Sequence, residues 1–414
     1  MSIPQTLRPS RLFLLLALFA PAALAGEADI KLPDLGVVQF QIFGASVSGF
    51  ALLYAGLAIC LLGAAYGWIQ YQQTKALPVH QAMQEVSNTI WETCKTYLTQ
   101  QGKFLAALWG LIAVCILYYL IGLQGKGFGA AMVVLLASVV GMLGSYVVAW
   151  FGIRINTVAN SRTSFAALGG NALKTLSIPL QSGMSVGLLL VCVELFFMIC
   201  ILVFLPGDLV GPSFLGFAIG ESLGASALRI CGGIFTKIAD IGADLMKIVF
   251  QLPEDDPKNP GVIADCTGDN AGDSVGPTAD GFETYGVTGV ALITCIALAM
   301  AAVPTVGATL IVWLFAMRIL MVVTSLVSYE INRFASRALF GAKKEFDLEQ
   351  PLTNLVWLTS AVSIAATFVA SWLLLHGFRG ESGEAVPALW WVLSVIISCG
   401  TVAGAVIPEF TKVF

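Results

Sequence analysis

The sequence is poor in charged residues and has almost no histidine. Only 11% of its 414 residues are Asp, Glu, Lys or Arg, whereas 57% are hydrophobic, and there are 2 histidines. A soluble protein of this length cannot bury so much apolar surface, and a disordered chain needs the opposite balance of charge to hydrophobicity. The composition therefore excludes both classes and indicates a protein of the lipid bilayer.

Basic residues are not in excess, and the cysteines form no motif. The 21 Lys and Arg against 25 Asp and Glu give a net charge of −4, so no basic surface indicates a nucleic-acid partner. The 9 cysteines stand singly in apolar stretches, which is typical of reduced packing residues. Because the two histidines, His80 and His376, are far apart in sequence, any metal ion must be bound by oxygen ligands.

Apolar runs long enough to cross a bilayer recur along the chain. They lie at residues 47–69, 104–123, 128–151, 183–206, 305–327, 353–375 and 388–407, with two less pure runs at 212–250 and 264–303. The sequence therefore predicts an all-α polytopic membrane protein with nine spans. Basic residues concentrate in the loops that this topology places in the cytoplasm, which predicts the mature N-terminus outside and the C-terminus inside.

Residues 1–25 have the pattern of a bacterial signal peptide. Two arginines precede the apolar run LFLLLALFA, and an Ala-Leu-Ala cleavage pattern ends at residue 25. An uncleaved anchor is the alternative, although the apolar run is short for a span. The membrane domain is predicted to occupy residues 26–414, in the inner membrane of a bacterium.

The most charged stretch lies in a helical hairpin predicted at residues 212–303. Its charged side chains recur every three or four residues, which places those of each helix on one face. The first helix carries Lys237, Asp240 and Asp244, and the second carries Asp265, Asp269 and Asp273. Since a Pro-broken loop joins the helices, the two acidic stripes are predicted to face each other near the cytoplasmic surface.

Neighbouring carboxylates of this kind repel by roughly a few tenths of a kcal/mol per pair, so a cation must neutralise them. Carboxylate oxygens suit hard ions, and Mg²⁺ is held by a few carboxylates with its other positions filled by water or substrate phosphate. Lys237 could then contact phosphate, and a carboxylate not fully used by the metal could orient or deprotonate water. A solvated acidic face with one compensating lysine is the alternative.

A second group of ionisable residues is expected deeper in the membrane. Arg229 lies 15 residues before Asp244, and Asp280 lies 15 residues after Asp265. Each interval corresponds to about 22 Å along a helix. With Glu283 they are predicted to form a buried cluster, and such charges usually mark an ion path or a proton relay. An ion pair that only locks the two helices is the alternative. Glu194 and Arg318, also inside spans, are expected to pack or to pair.

Two stretches, GGIFTKIADIGADL and PEDDPKNPGVIADCTGDNAGDSVGPTADGFETYG, closely resemble the signature of the membrane-bound, pyrophosphate-energised ion pumps, the membrane pyrophosphatases. The resemblance implies hydrolysis of cytoplasmic Mg-pyrophosphate to phosphate, coupled to outward H⁺ transport. A sodium-translocating pyrophosphatase is one alternative. A non-hydrolytic channel or carrier for divalent cations is another, which a lysine among the acids disfavours.

The resemblance also implies a role for each residue of the hairpin. Lys237 is expected to bind the substrate, and Asp273 and Asp269 are expected to be catalytic, with Asp273 activating water. The expected Mg²⁺ ligands are Asp240, Asp244, Glu254, Asp265 and Asp269. The expected ion gate consists of Arg229, Asp280 and Glu283.

Members of that family have about sixteen spans and are implied to be homodimers. Nine spans are predicted here, and no equivalent of the family's second set of acids and lysines occurs in the sequence. We therefore interpret the chain as the N-terminal portion of a divergent bacterial pump, without the C-terminal part of the family fold. The chain alone should hydrolyse little or nothing. Its expected partners are pyrophosphate, the lipid bilayer, a second copy and the missing C-terminal half.

Overall fold

A computed structural model describes residues 32–411, except 254, 255, 257, 260, 342, 344, 345 and 381–385. The predicted signal peptide at residues 1–25 therefore lies outside the described residues. Within them the chain is almost entirely helical, with one small antiparallel sheet.

Nine long helices build the described part of the chain. They are α1 (Gly49–Lys75), α2 (Gln81–Leu117), α3 (Phe128–Ala167), α4 (Ala172–Phe204), α5 (Gly207–Phe250), α6 (Val262–Ala299), α7 (Pro304–Phe340), α8 (Gln350–Leu375) and α9 (Leu389–Thr411). All nine are long and apolar enough to cross a membrane. The predicted all-α polytopic fold with nine spans is confirmed.

Several helices are longer than the apolar runs that predicted them. The second predicted span begins at residue 104, but α2 begins at Gln81, and a π-helical turn at Tyr118–Leu123 continues it. Hydropathy marks only the part of a helix that suits hydrocarbon. The preceding Gln-, Glu- and Lys-containing turns are good helix formers and simply extend the helix beyond that part.

A short β-hairpin, which is not among the predicted elements, precedes α1. Strands β1 (Gln39–Ile42) and β2 (Ala45–Ser48) pair in antiparallel register. The two turn residues, Phe43 and Gly44, both have positive φ angles, of 50° and 82°, as two-residue hairpin turns require. The hairpin leads directly into the first turn of α1.

Close packing of α3 against α5 depends on small residues. Gly216, Gly220 and Gly224 recur every fourth residue on α5, so they share one helix face. A Cβ atom at Gly220 would overlap the carbonyl oxygen of Ser138 and lie 2.9 Å from the backbone nitrogen of Met142. Such contact between helix backbones is typical of membrane helices, where small residues allow close approach.

We expect Gly220→Ala to destabilise the protein by about 1–3 kcal/mol, because the new methyl group would meet backbone atoms that cannot turn aside. Thermal unfolding of the purified chain in detergent measures this. Gly233→Ala on the same helix is the matched control, since a Cβ there meets no atom within 4 Å. Equal losses in the two variants would contradict the packing account.

Candidate functional site in the α5–α6 hairpin

Helices α5 and α6 lie close together because small residues line their contact. The Thr236 hydroxyl donates to the carbonyl oxygens of Gly232 at 3.0 Å and, across the contact, of Gly268 at 2.6 Å. A Cβ at Gly268 would lie 3.0 Å from the Cα of Thr236. This approach positions the charged turns of α5 beside those of α6.

Five of the predicted site residues share one electrostatic neighbourhood at this end of the hairpin. Lys237 Nζ lies 3.0 Å from Asp240 Oδ2. Asp240, Lys237 and Asp273 are all close enough to Asp269 for their charges to interact with its carboxylate. Asp244 is likewise close enough to interact with the charge of Lys237. The Lys237 side chain is 74% exposed, so its ammonium group is accessible to a ligand.

One further predicted ligand, Asp265, lies at the loop end of the hairpin. Asp265 lies in the first turn of α6 and is partly buried. The Asn259 side chain donates to the carbonyl oxygen of Ala243 at 3.2 Å and accepts from the Gly261 amide at 2.8 Å, which closes the loop against α5. Glu254, a predicted metal ligand, lies outside the described residues.

The donor set consists of carboxylate oxygens. Among the described residues, no group of three or more His, Cys, Asp or Glu side chains is arranged to hold a metal ion. Mg²⁺ usually takes only one or two protein carboxylates and completes its shell with water and substrate phosphates. The residues therefore fit a magnesium ion that binds jointly with a phosphate ligand.

A cavity of about 780 Å³ opens on the other side of the second acidic stripe. Its walls come from α3, α4 and α6, and Asp269 and Asp273 are its acidic lining residues. Both aspartates are exposed. The sequence predicts these carboxylates between α5 and α6, and in the structure they also face this cavity.

Side chains of α3 that were not among the predicted site residues hold α6 at this cavity. Asn156 Nδ2 donates to Ser274 Oγ at 2.6 Å, and Asn160 Nδ2 donates to Asn270 Oδ1 at 2.9 Å. The matching spacing of four residues on each helix is the one sequence signal that could have paired them. Because Asn270 and Ser274 directly follow the two aspartates of the cavity, these hydrogen bonds position the second acidic stripe.

Arg229 and Asp280 form an ion pair that joins α5 to α6. The counting of helical turns that placed them at one depth agrees with this contact. The expectation that they are buried is wrong for the described chain, since their side chains are 48% and 49% exposed. Glu283, one turn further along α6, is partly buried.

Two further acids and an arginine are buried in the bundle, away from the hairpin's acidic stripes. Glu194 and Glu221 are 0% exposed and Arg318 is 9% exposed. The sequence predicts that Glu194 and Arg318 pack or pair, and Glu221 is a buried acid that was not among the predicted residues. An acid in the middle of an apolar span, in FAIGESLGAS, is the signal that could have identified it.

The fold and the site together define a polytopic helical membrane protein with ionisable groups inside its bundle, the arrangement of ion-transporting proteins. Residues 59–414 match the family model described as Inorganic H⁺ pyrophosphatase. The chain belongs to this family, which confirms the resemblance seen in the hairpin sequence.

Curated relatives agree with the family match. A protein of Chlorobaculum tepidum named "K(+)-insensitive pyrophosphate-energized proton pump" is 58% identical over 359 residues, covering 87% of this chain and 47% of the relative. Proteins with the same name from Pyrobaculum aerophilum and Methanosarcina mazei are 35% and 37% identical over 254 and 210 residues. These matches cover 59% and 50% of this chain, and 34% and 30% of the two relatives. The chain thus spans about half the length, or less, of the curated relatives it matches.

Proposed function

We propose that this chain is part of a pump that hydrolyses cytoplasmic Mg-pyrophosphate to phosphate and moves protons outward across a bacterial inner membrane. Family membership and the names of the relatives support this proposal. The observation that carries it is the neighbourhood of Lys237 and Asp240 on α5 with Asp269 and Asp273 on α6. A cation among acids on two packed helices suits a ligand that brings both phosphate oxygens and metal charge.

Substrate binding would use the cation and the acids together. Lys237 would exchange its contact with Asp240 for a phosphate oxygen, which its exposure allows. The carboxylates that would hold Mg²⁺ are those of Asp240, Asp244, Glu254, Asp265 and Asp269. When bound, the metal supplies positive charge that offsets the negative charge of the phosphate groups.

Asp273 would act on water. Its carboxylate lines the cavity beside Asp269, so a water molecule can reach it without crossing the packed helices. There the carboxylate can orient the water for in-line attack on phosphorus and accept its proton, while the bond from that phosphorus to the bridging oxygen breaks and the second phosphate leaves. The hydrogen bond between Asn156 and Ser274 holds the neighbouring turn in place during this step.

Transport would follow from the ion pair below the acids. We propose that Arg229, Asp280 and Glu283 form the ion gate. A proton released near Asp273 would shift the equilibrium of this gate and let an ion pass out of the cytoplasm. Because the relatives are named as K⁺-insensitive proton pumps, we propose H⁺ rather than Na⁺ as the ion and no dependence on K⁺. We also propose that the pump is a homodimer, that its N-terminus lies outside, and that a further half completes it.

Vesicle assays test this function. The chain is assayed alone and as a chimera in which it replaces the matching part of the Chlorobaculum tepidum relative, named the chimera below. We expect the chimera to release phosphate from pyrophosphate only with Mg²⁺ and to acidify inverted vesicles without Na⁺, and the chain alone to do little. Divalent-cation flux without phosphate release would indicate a channel, and a requirement for Na⁺ would indicate a sodium pump.

Glu283→Ala in the chimera should reduce proton transport at least tenfold while the affinity for Mg-pyrophosphate stays within about twofold. The reason is that Glu283 lies beyond the ion pair of Arg229 and Asp280 and away from the acids that would bind substrate. Vesicle acidification and KM measure the two effects. Thr284→Ala, the exposed next residue, is the control, and unchanged pumping in Glu283→Ala would remove Glu283 from the gate.

A further inference from the structure

Two buried carboxyl groups meet in the bundle without a hydrogen-bond donor. Glu194 on α4 and Glu221 on α5 are both 0% exposed. A Cβ at Gly286 of α6 would overlap one carboxylate oxygen of each, so the two groups converge on that glycine. Among the described residues, none gives a hydrogen bond to any of their four oxygens.

The charges around this pair do not balance when both acids are ionised. Among the described residues, Arg318 on α7 is the basic residue close enough to interact with both glutamates, and Glu283 is an acidic residue close enough to interact with Glu221. The Arg318 guanidinium donates to the carbonyl oxygen of Tyr285 at 3.0 Å. Two carboxylates against one guanidinium leave an uncompensated negative charge in the membrane interior, which is costly.

Binding of one proton supplies the missing hydrogen-bond donor and removes the uncompensated negative charge of the pair. A protonated carboxyl donates a hydrogen bond to its neighbour, and the buried pair then carries a single negative charge that Arg318 balances. The charge of Glu283 lies outside this buried pair, on a side chain that is only partly buried. Adjacent carboxyl groups that cannot both ionise commonly share one proton in this way. A sodium ion would need several oxygen ligands in place of the glycine and the guanidinium that surround this pair.

The surrounding glycines make room for this arrangement. A Cβ at Gly289, one turn after Gly286 on α6, would lie 2.6 and 2.7 Å from the two terminal nitrogens of Arg318. The two glycines thus accommodate the acids and the arginine on one face of the helix. Side chains at these two positions would displace one partner or the other.

We propose that Glu194 and Glu221 bind one shared proton and form a proton-binding site inside the bundle, beyond the ion pair of Arg229 and Asp280. Glu221 precedes Arg229 by eight residues on α5, which is about 12 Å toward the end of the helix predicted to lie outside. The site would receive protons that pass the gate. Proton binding stands on the geometry alone, and only its part in transport rests on the proposed function.

Infrared spectroscopy of the purified chain in detergent tests proton binding. At neutral pH we expect the carbonyl band of a protonated carboxylic acid, shifted in D₂O and equal in Na⁺ and K⁺ buffers. Absence of this band in the unaltered chain, or its loss when Na⁺ replaces K⁺, would overturn the proposal. This measurement does not depend on any variant being folded.

Two variants test whether the proton is shared. Glu194→Gln and Glu221→Gln should each remove the whole band, because the one remaining carboxylate is balanced by Arg318 and stays ionised. Glu92→Gln, at a side chain that is 67% exposed, should leave the band intact. Loss of half the band in each single variant would show two independent acids and would overturn the shared site.

The part in transport is tested separately in the chimera. Glu221→Gln should reduce proton transport at least tenfold while phosphate release continues, and unchanged transport would overturn this part of the proposal. If the unaltered chimera releases no phosphate, the proposed function fails, and the infrared result alone then decides whether the proton site exists. The two failures are therefore distinguishable.

Discussion

Phosphate release by the chimera is expected to fall about 10²–10⁴-fold when Asp273 is replaced by Asn, because an amide cannot accept a proton from water. The Asp273 side chain is exposed and lines the cavity beside Asp269. An amide of the same shape should therefore be accommodated without loss of packing. Steady-state phosphate release measures the effect, and thermal unfolding in detergent checks the fold.

Asp208→Asn is the matched control for this variant. Asp208 lies in the first turn of α5, at the opposite end of that helix from the acidic stripe, and is exposed. We expect its replacement to leave the rate within about twofold and the unfolding temperature unchanged, as for most surface changes. Retained turnover in Asp273→Asn, with Asp208→Asn equally active, would remove Asp273 from the water-activating role.

Replacing Lys237 with Met should raise the KM for Mg-pyrophosphate about 10–100-fold, because a charge-assisted hydrogen bond to a phosphate oxygen is lost. The rate at saturating substrate should change less, since this contact forms on binding. Steady-state kinetics of the chimera separate the two effects. The change should also leave folding intact, because the Lys237 side chain is 74% exposed and its ion pair among the described residues is with Asp240 of the same helix turn.

Lys174→Met, at another exposed lysine, in the first turn of α4, is the control for Lys237→Met. It removes the same charge from the end of the bundle that is predicted to be cytoplasmic. An equal rise of KM in both variants would show a general electrostatic effect, and an unchanged KM in Lys237→Met would exclude a substrate contact.

The helical fold could be predicted because its signal is local. Apolar runs specify where each span lies, and the spacing of Asp240, Asp244, Asp269 and Asp273 specifies which turns of the hairpin carry charge. Helical rise also predicted that Arg229 and Asp280 share a depth, and they form an ion pair. Each of these inferences needs only residues on one helix or on two helices joined by a short loop.

Contacts between distant helices could not be predicted in the same way. Asn156 and Ser274 are 118 positions apart, and nothing in either helix alone specifies its partner. The buried pair of Glu194 and Glu221 depends on how α4, α5 and α6 meet at Gly286. The exposure of Arg229 likewise depends on which elements cover it, and helical periodicity does not contain that information.

Binding of a non-hydrolysable diphosphate tests the central claim most directly, namely that acids of α5 and α6 capture one Mg-diphosphate together. Equilibrium dialysis of imidodiphosphate against the chimera should show binding only with Mg²⁺. Asp240→Asn on α5 and Asp269→Asn on α6 should each weaken it at least tenfold, and Asp208→Asn should leave it unchanged. Binding without Mg²⁺ would contradict a shared site. So would weaker binding in only one of the two variants, Asp240→Asn or Asp269→Asn.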